Sequence, residues 1–445
     1  MNALFAENFW TASGWQRNQR LTLATADATG AATDSEARAR FVLPGVVNAH
    51  SHAFQRAMAG LAERQTRIDD SFWGWRETMY RFAGLITPDD LHAIAAQLYV
   101  EMLEAGYTSV CEFHYLHHQP DGRPYAEPAA MSQALIAAAA DTGIRLTLLP
   151  VLYMAGGFDG RALHARQRRF GHSVEAYLQL LRTLRAGEHA GLCVGVALHS
   201  LRAVPEAAIV EVLASEDGGE RPIHMHIAEQ IGEVQDCLAL RDARPIAWLF
   251  DHVPVGPRWQ LVHATQVEAG ELDRISASGA SVVLCPSTEA NLGDGLFPLK
   301  PFLDRQGRIA IGSDSQVSVS PVEELRWLEY GQRLVQRQRT IAADAGQPSV
   351  GERLFAALAT SASTASGFDP TARSGDLIVL DDQHPLLAAR DHRNLLDSWM
   401  FSGNVNLVRD VWVGGVHRVQ DGRHHARAAT AARYQQTLQR LTTEM

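Results

Sequence analysis

Short apolar runs alternate with longer stretches of helical periodicity along most of the chain. From about residue 41, eight β-rich runs occupy 41–49, 107–115, 144–152, 192–199, 221–228, 259–265, 280–287 and 308–313. Helical patterns fill most of the intervals, among them 89–105, 128–142, 204–215 and 267–278. Eight strands that alternate with helices predict an α/β fold, a (β/α)8 barrel. The main alternative is an open doubly wound sheet, and the missing G-x-G-x-x-G after the first run disfavours its dinucleotide-binding form.

The two ends of the chain have a different pattern. Residues 1–40 contain short polar and β-like pieces, and strand-like pieces with turn residues recur at 375–381 and 408–415. We expect both ends to form one small β-sandwich domain beside the barrel, joined to it at Pro44-Gly45 and near Gly367. The predicted division is 1–44 plus 369–445 for the small domain and 45–368 for the barrel. The last stretch, 426–444, predicts an exposed helix.

Composition narrows the class of protein. The chain has 445 residues, 46% of them hydrophobic, and a formal net charge of -10. This composition supplies a large core and disfavours nucleic acid or a membrane surface as a partner. No apolar run has the length of a membrane span and no basic-then-apolar leader is present, so a cytoplasmic location is expected. The four cysteines form no C-x-x-C pair, which disfavours a disulfide or zinc-thiolate framework.

Acid and imidazole side chains gather at the predicted C-terminal ends of strands, where barrels of this type carry their active sites. The candidates are His50, His52, His224, His226, Glu229, His263 and Asp314. Histidines two residues apart on a strand project to the same side, as a chelating site requires. Each residue taken singly also fits a structural role, such as a core histidine or a turn cap. Taken together on four strand ends, they favour a metal site.

Strand alternation leaves His224 and His226 equivalent, since both belong to the fifth run. The spacing His226-x-x-Glu229 favours His226 as the ligand, because it places an acid beside the metal without making it a ligand. Three histidines and one aspartate complete a zinc-type ligand set.

These strand-end residues resemble those of the amidohydrolase superfamily. The resemblance implies metal-dependent hydrolase or deaminase chemistry on a (β/α)8 barrel, with a β-sandwich domain built from both termini. Many members hold two metals through a carboxylated lysine on strand four. Lys300 is the only lysine here and lies between the seventh and eighth runs, which excludes that bridged form. We therefore expect one divalent metal ion, zinc, held by His50, His52, His226 and Asp314.

Longer strings resemble, more narrowly, the formimidoylglutamate deiminase family of histidine degradation. They span residues 50–63, 70–80, 112–118, 287–295, 312–318 and 323–331. One departure is Gln316, where many members carry histidine, and it puts the role of that position in doubt. The resemblance implies hydrolysis of N-formimino-L-glutamate to N-formyl-L-glutamate and ammonia, and a homodimer.

The resemblance also implies roles for individual residues. Asp314 would accept a proton from the attacking water, His263 would stabilise the tetrahedral intermediate, and Glu229 would protonate the leaving nitrogen. The implied substrate contacts are Gln55, Arg76, Tyr115, His199 and Arg202. Arginine suits the two carboxylates of the substrate because its planar fork donates two hydrogen bonds. For Arg76 and Arg202 the competing interpretation is a surface salt bridge.

Two other hypotheses remain open. Another mononuclear amidohydrolase, a deaminase or chlorohydrolase acting on a nucleobase-like substrate, would need stacking groups more than two arginines. A barrel that has kept the fold as a non-catalytic scaffold would have lost ligands, whereas all four ligands and both acid–base groups are present in this sequence.

Overall fold

A computed structural model describes residues 3–23, 36–64, 72–216 and 219–444, without the side chains of Glu36, Phe72 and Trp73. The strands in chain order are β1 (Ala3–Thr11), β2 (Gly14–Thr22), β3 (Glu36–Pro44), β4 (Val46–Ser51), β5 (Tyr107–His114), β6 (Arg145–Leu152), β7 (Leu192–Val194), β8 (Val196–Leu198), β9 (Ile223–Ile227), β10 (Trp259–His263), β11 (Ser281–Leu284), β12 (Arg308–Ile311), β13 (Leu377–Leu380), β14 (Val408–Val413), β15 (Val416–Gln420) and β16 (Arg423–His424).

Fourteen α-helices lie in the described part of the chain. They are α1 (Phe72–Leu85), α2 (Pro88–Ala105), α3 (Ala130–Thr142), α4 (Val174–Arg185), α5 (Glu206–Ser215), α6 (Ile231–Arg241), α7 (Pro245–His252), α8 (Ala269–Ser278), α9 (Pro286–Leu292), α10 (Leu299–Asp304), α11 (Pro321–Gln336), α12 (Val350–Ser366), α13 (Leu395–Phe401) and α14 (Arg427–Thr443). Short 3₁₀ helices occupy Ala53–Met58, Ala165–Phe170 and Pro385–Leu387.

Strands β4 to β12 close into a parallel barrel, which confirms the predicted (β/α)8 fold. Each strand pairs with the next, β12 pairs with β4, and β7 and β8 are two pieces of one barrel strand. Strands β4, β5 and β6 are buried along their whole length, which explains why the runs are continuously apolar rather than alternating. The predicted strand 41–49 divides at Gly45, so its first half leaves the barrel.

The other sheet has seven strands in the order β16-β15-β14-β13-β3-β1-β2. Both ends of the chain contribute to it, which confirms the small β-domain from both termini. Its own buried cluster includes Leu4, Val42 and Trp412. The domain limits at 44, 45, 368 and 369 stay a prediction.

Glycine is required where the chain passes between the two sheets and beside the site. A Cβ on Gly45 would overlap the Thr108 side chain. A Cβ on Gly312, just past β12, would lie 2.7 Å from both the Cβ and the carbonyl oxygen of His50. The glycine therefore allows the end of the last barrel strand to approach the first strand beside His50.

The predicted C-terminal helix is present as α14, and one face of it packs on α2. The hydroxyl of Tyr434 donates a hydrogen bond to the carbonyl oxygen of Arg56 at 3.0 Å. This contact ties the helix to the 3₁₀ turn that follows β4. None of the helices in the described ranges is long and apolar enough to span a bilayer.

A buried ion pair joins the barrel to the seven-stranded sheet. Arg145, at the start of β6, donates from Nε to Oδ2 of Asp376 at 2.8 Å, and both side chains are almost fully buried. The other carboxylate oxygen accepts from the Gly414 amide at 2.7 Å, and the Asp376 carbonyl accepts from the Gly45 amide at 2.8 Å.

We expect Asp376→Ala to lower the free energy of unfolding by about 3 kcal/mol, because it leaves a buried guanidinium without its counter-charge. Thermal unfolding checks this, and activity per folded molecule should not change. Asp391→Ala is the control, since Asp391 pairs with Arg393 in solvent and such an exposed pair contributes little to stability. Equal losses in the two variants would contradict the prediction.

Candidate metal centre and substrate pocket

The carboxyl ends of β4 and of the last barrel strand meet at the predicted site. His50 lies on β4 and His52 lies just past its end, while Asp314 lies three residues after β12. The His52 amide donates to the Asp314 carbonyl at 3.1 Å, and the Asp314 amide donates to the His50 carbonyl at 3.0 Å. These two bonds extend the parallel pairing beyond the strands and bring the three side chains together.

Non-glycine residues with left-handed backbone cluster at this end of the barrel. Ala228 has φ of 49° just before Glu229, His263 and Ala264 have 71° and 51°, and Asp314 has 45°. Such residues are uncommon and cost free energy, and they concentrate at functional sites. Here they lie where the barrel strands end, at or directly beside Glu229, His263 and Asp314.

Four side chains bring their donor atoms within metal-binding distance of one another. His50 Nε2 lies 3.1 Å from His52 Nε2 and 3.0 Å from His226 Nε2. The Asp314 Oδ1 atom lies 3.3 Å from His52 Nε2 and 3.6 Å from His50 Nε2. The structure thus brings together the four side chains that the sequence proposed as ligands.

The hydrogen bonds of the Nδ1 atoms indicate which ring nitrogens of these histidines are free to bind a cation. His52 Nδ1 lies 2.9 Å from the Phe113 carbonyl, and His226 Nδ1 lies 3.0 Å from the His199 carbonyl. A carbonyl only accepts, so both Nδ1 atoms carry the proton and, in the neutral rings, both Nε2 atoms point bare lone pairs at His50. His50 can offer a proton to only one of them. This donor set fits a cation between the Nε2 atoms.

Burial also favours the metal-binding protonation state of these histidines. It lowers the pKa of His52 to about 3, and the pKa values of His50 and His226 lie well below the ordinary value for the same cause, reinforced by neighbouring imidazoles. All three rings are therefore neutral at physiological pH, as metal ligands must be.

The acid–base candidates lie beside this cluster. His263 Nε2 is 3.7 Å from Asp314 Oδ2 and 3.9 Å from Glu229 Oε1. Burial lowers the pKa of His263, but the carboxylates of Glu229, Glu289 and Asp314 outweigh it and raise the pKa to about 10. Burial raises the pKa of Asp314 to about 7, against the effect of His263. A bound cation would lower the pKa of Asp314 again, because it favours the carboxylate form.

The structure separates His224 from His226, which the alternation could not do. His224 Nε2 lies 3.0 Å from the Ala365 carbonyl on α12, outside the barrel, and His224 is fully buried. His226 faces the cluster instead. The sequence interpretation that chose His226 on its spacing to Glu229 agrees with this arrangement.

A cavity with about 730 Å3 of empty space, part of it open to solvent, lies directly above the cluster. Its lining includes five of the seven acid and imidazole candidates, namely His52, His226, Glu229, His263 and Asp314, and all five proposed substrate contacts. The proposed contacts in the lining are Gln55, Arg76, Tyr115, His199 and Arg202. Four further aromatic residues complete much of the wall, namely Trp75, Tyr80, Tyr153 and Phe170.

The polar contacts in the wall hold several of these side chains in place. Gln55 donates from Nε2 to the Tyr115 hydroxyl at 2.9 Å, while its buried Oε1 has no hydrogen-bond partner among the described residues. His199 Nδ1 lies 3.1 Å from the Ser200 hydroxyl. The Gln55 carboxamide oxygen is therefore available to accept a hydrogen bond from a ligand in the cavity.

Two guanidinium groups line the same cavity. Arg76, on α1, lies over the Tyr80 ring with its Cζ 5.2 Å from the centroid. Arg202 follows the end of β8, and its buried Nε has no hydrogen-bond partner within the described ranges. Nearby tyrosines and Glu233 raise the pKa of Arg202 in spite of its burial, so it is charged. Both side chains line the cavity, where the proposed substrate role places them.

Sequence reasoning gave no role to several buried acids around the site. Glu112, at the end of β5, accepts from the Ser51 hydroxyl at 2.8 Å and the Ala53 amide at 2.5 Å, on either side of His52. Glu289 on α9 contacts His263 at 3.3 Å. Both acids lie in the family-like strings, at 112–118 and 287–295, but nothing in their spacing indicated a contact with the site.

Gln316 and Lys300 lie outside the cavity. The Gln316 side chain is fully buried and donates to the Ser51 hydroxyl at 3.0 Å and to the Asp314 carbonyl at 2.7 Å. These bonds join the end of β4 to the segment that follows β12, and Gln316 does not line the cavity. Lys300, on α10, is paired with Asp304 at the surface.

Known proteins resemble this chain over nearly its whole length. A model of the amidohydrolase family matches residues 41–416. Formimidoylglutamate deiminase of Pseudomonas aeruginosa is 49% identical over 450 residues, which cover 98% of this chain and 99% of that protein. The crystal structure of an amidohydrolase from Brucella melitensis has a TM-score of 0.92 at 41% identity and covers 99% and 100% of the two chains. An adenosine deaminase from Xanthomonas campestris with bound zinc has a TM-score of 0.77 at 20% identity over 99% and 98% of the chains, which shows the shared fold alone.

Proposed function

The chain belongs to the amidohydrolase family, and from that premise we propose that it hydrolyses N-formimino-L-glutamate to N-formyl-L-glutamate and ammonia. Water supplies the oxygen of the new formyl group, and the C–N bond to the imino nitrogen breaks. The two protons of that water are transferred to the imino nitrogen, which leaves as ammonia. The observation that carries the proposal is one cavity that holds a metal-type donor cluster and two guanidinium groups. The identity of 49% with the Pseudomonas aeruginosa deiminase supports the choice of substrate.

The amidohydrolase family is metal-dependent, and His50, His52, His226 and Asp314 would hold the ion in this chain. Three imidazoles and one carboxylate are a zinc donor set, and the chain lacks a lysine on the fourth barrel strand that could bridge a second ion. We therefore propose one zinc ion per chain. When bound, the ion supplies Lewis acidity that makes water a nucleophile near neutral pH.

The surrounding residues move the protons. Asp314 accepts a proton from the attacking water, since its Oδ2 atom faces the interior of the cavity beside His263. His263 donates a hydrogen bond to the oxygen that becomes negative in the transition state. Glu229, 14% exposed at the wall, delivers a proton to the departing nitrogen, so that ammonia rather than an amide anion leaves.

The glutamate part of the substrate carries two carboxylates, which suit the two arginines. Arg202 and Arg76 would each bind one carboxylate, and the carboxamide oxygen of Gln55 would accept from a substrate N–H group. Tyr115 and His199 complete this wall of the cavity. We further propose a cytoplasmic homodimer, supported by the four unpaired cysteines for the compartment and by family resemblance for the dimer.

Ammonia release from N-formimino-L-glutamate, measured beside a panel of purines and with metal analysis on the same sample, tests the function. We expect turnover of formiminoglutamate and about one zinc per chain. Metal-loaded protein that is inactive on this substrate but active on a purine would sink the proposal and favour the nucleobase alternative, for which the aromatic wall would provide stacking.

An Arg202→Met variant is expected to raise KM for formiminoglutamate about 10- to 100-fold, because it removes a charge-assisted pair with a substrate carboxylate. Steady-state kinetics check this, and kcat should fall less than kcat/KM. Arg274→Met is the matched control, since Arg274 pairs with Asp251 at the surface of α8 and should leave KM unchanged. A KM that does not move in Arg202→Met would contradict the assigned role.

A further inference from the structure

A buried carboxylate lies behind His263, on the side away from the cavity. Glu289 belongs to α9 and is 4% exposed. One of its oxygens, Oε1, lies 3.3 Å from His263 Nδ1 and 2.9 Å from the Cys285 amide nitrogen, which donates to it. Glu289 is absent from the cavity lining, so it contacts the machinery only through His263.

This contact determines which nitrogen of His263 faces the reaction. A carboxylate oxygen accepts hydrogen bonds, so Nδ1 carries the proton that it donates to Glu289. Nε2 is then the nitrogen directed at Asp314 and Glu229, at 3.7 and 3.9 Å. Flipping the ring would break the bond to Glu289 and withdraw Nε2 from the cavity.

The backbone makes the orientation of His263 depend on such an anchor. His263 and Ala264 both have positive φ, at 71° and 51°, just where β10 ends. The chain turns there, directly after the pairing of His263 with Ile227, and the contact with Glu289 fixes the direction of the ring. The Cys285 amide fixes Glu289 in turn, because it holds the same oxygen that accepts from His263.

We propose that Glu289 is a positioning residue for the reaction: it accepts the Nδ1 proton of His263 and holds Nε2 toward the cavity, where the Nε2–H group can donate to the developing negative oxygen. The inference rests on the proposed function for its catalytic meaning, but the contact itself can be tested without substrate. The arrangement matches a carboxylate–histidine pair, in which the acid accepts one ring N–H and orients the other nitrogen toward the reacting groups.

Two substitutions separate the hydrogen bond from the charge. Glu289→Gln keeps a side-chain oxygen that can accept from both Cys285 and His263, while Glu289→Ala removes the acceptor. We expect kcat to fall about 10- to 100-fold in Glu289→Ala, with KM and metal content unchanged, and less than about 10-fold in Glu289→Gln.

A matched control is available on α11, which packs against α9. Glu324 is a second buried carboxylate, and it accepts from the Ser287 amide at 2.9 Å and the Ser287 hydroxyl at 2.5 Å without contacting His263. Glu324→Gln therefore alters a buried carboxyl group beside α9 and leaves the His263 anchor intact. Its kcat should equal that of the parent protein, even if thermal unfolding shifts.

Proton NMR of the resting protein gives the second readout. The Nδ1 proton of His263 should give a low-field signal that disappears in His263→Asn, disappears in Glu289→Ala and persists in Glu289→Gln. This result does not depend on formiminoglutamate, so it distinguishes failure of the positioning role from failure of the proposed substrate. Parent-like kcat in Glu289→Ala, a change confined to KM, loss of metal, or a low-field signal indifferent to Glu289 would each overturn the proposal.

Discussion

His226→Ala is expected to lose its metal and about 10^4-fold in kcat/KM together. The variant removes one of three imidazoles whose Nε2 atoms meet within 3.0 and 3.1 Å at His50. A bound ion supplies several kcal/mol of transition-state stabilisation, and each 1.4 kcal/mol corresponds to about a tenfold change in rate. Ammonia release and elemental analysis of the same purified sample measure the two losses.

The control for this variant is two positions away. His224→Gln alters the other histidine of β9, which is bonded to the Ala365 carbonyl outside the barrel. We expect it to retain about one metal per chain and near-parental kcat, with some loss of stability. Metal retained in His226→Ala, or lost equally in both variants, would contradict the ligand assignment and leave the scaffold hypothesis standing.

Glu229→Gln is expected to lower kcat about 10^2- to 10^4-fold while KM and metal content stay near those of the parent. The substitution keeps the size of the side chain but removes the group that carries the proton to the departing nitrogen. The local backbone should not move, because the Glu229 carbonyl still accepts from the Thr265 hydroxyl at 2.6 Å and its amide still donates to Glu233 at 3.0 Å. Steady-state kinetics on the zinc-loaded variant measure this effect.

Glu206, an exposed acid at the start of α5, serves as the control for Glu229. Glu206→Gln changes the net charge by the same amount and should leave kcat and KM at parental values. Full activity in Glu229→Gln would show that another group protonates the leaving nitrogen. A large rise in KM with kcat unchanged would instead make Glu229 a substrate-binding residue.

The barrel itself was predictable because its cause is local and repeated. Parallel strands buried on both faces must be continuously apolar, and the helices between them carry a 3.6-residue period, so eight runs and their intervals are visible without tertiary information. The run 41–49, predicted as one strand, is a single apolar stretch that serves two sheets. Its division at Gly45 depends on the closeness of Thr108, which is 63 positions away in the chain.

The sequence by itself determined which residues are brought to one end of the barrel. His50, His52, Glu229, His263 and Asp314 follow apolar runs, and parallel strands present their carboxyl ends at one face. The missing lysine on the fourth strand is likewise a property of the sequence alone.

Only the tertiary structure decided how those residues face one another. Alternation along a strand cannot distinguish His224 from His226, and the distinction comes from which neighbour each ring meets, α12 or the barrel centre. The tertiary structure also shows that Gln316 joins two strand ends and that Glu289 contacts the ring of His263 on the side away from the cavity. These contacts join segments far apart in the chain through turns with left-handed backbone. Such turns change the direction of a side chain in a way that neither the strand period nor the helix period of the sequence reveals. The contacts therefore form only when the barrel has closed.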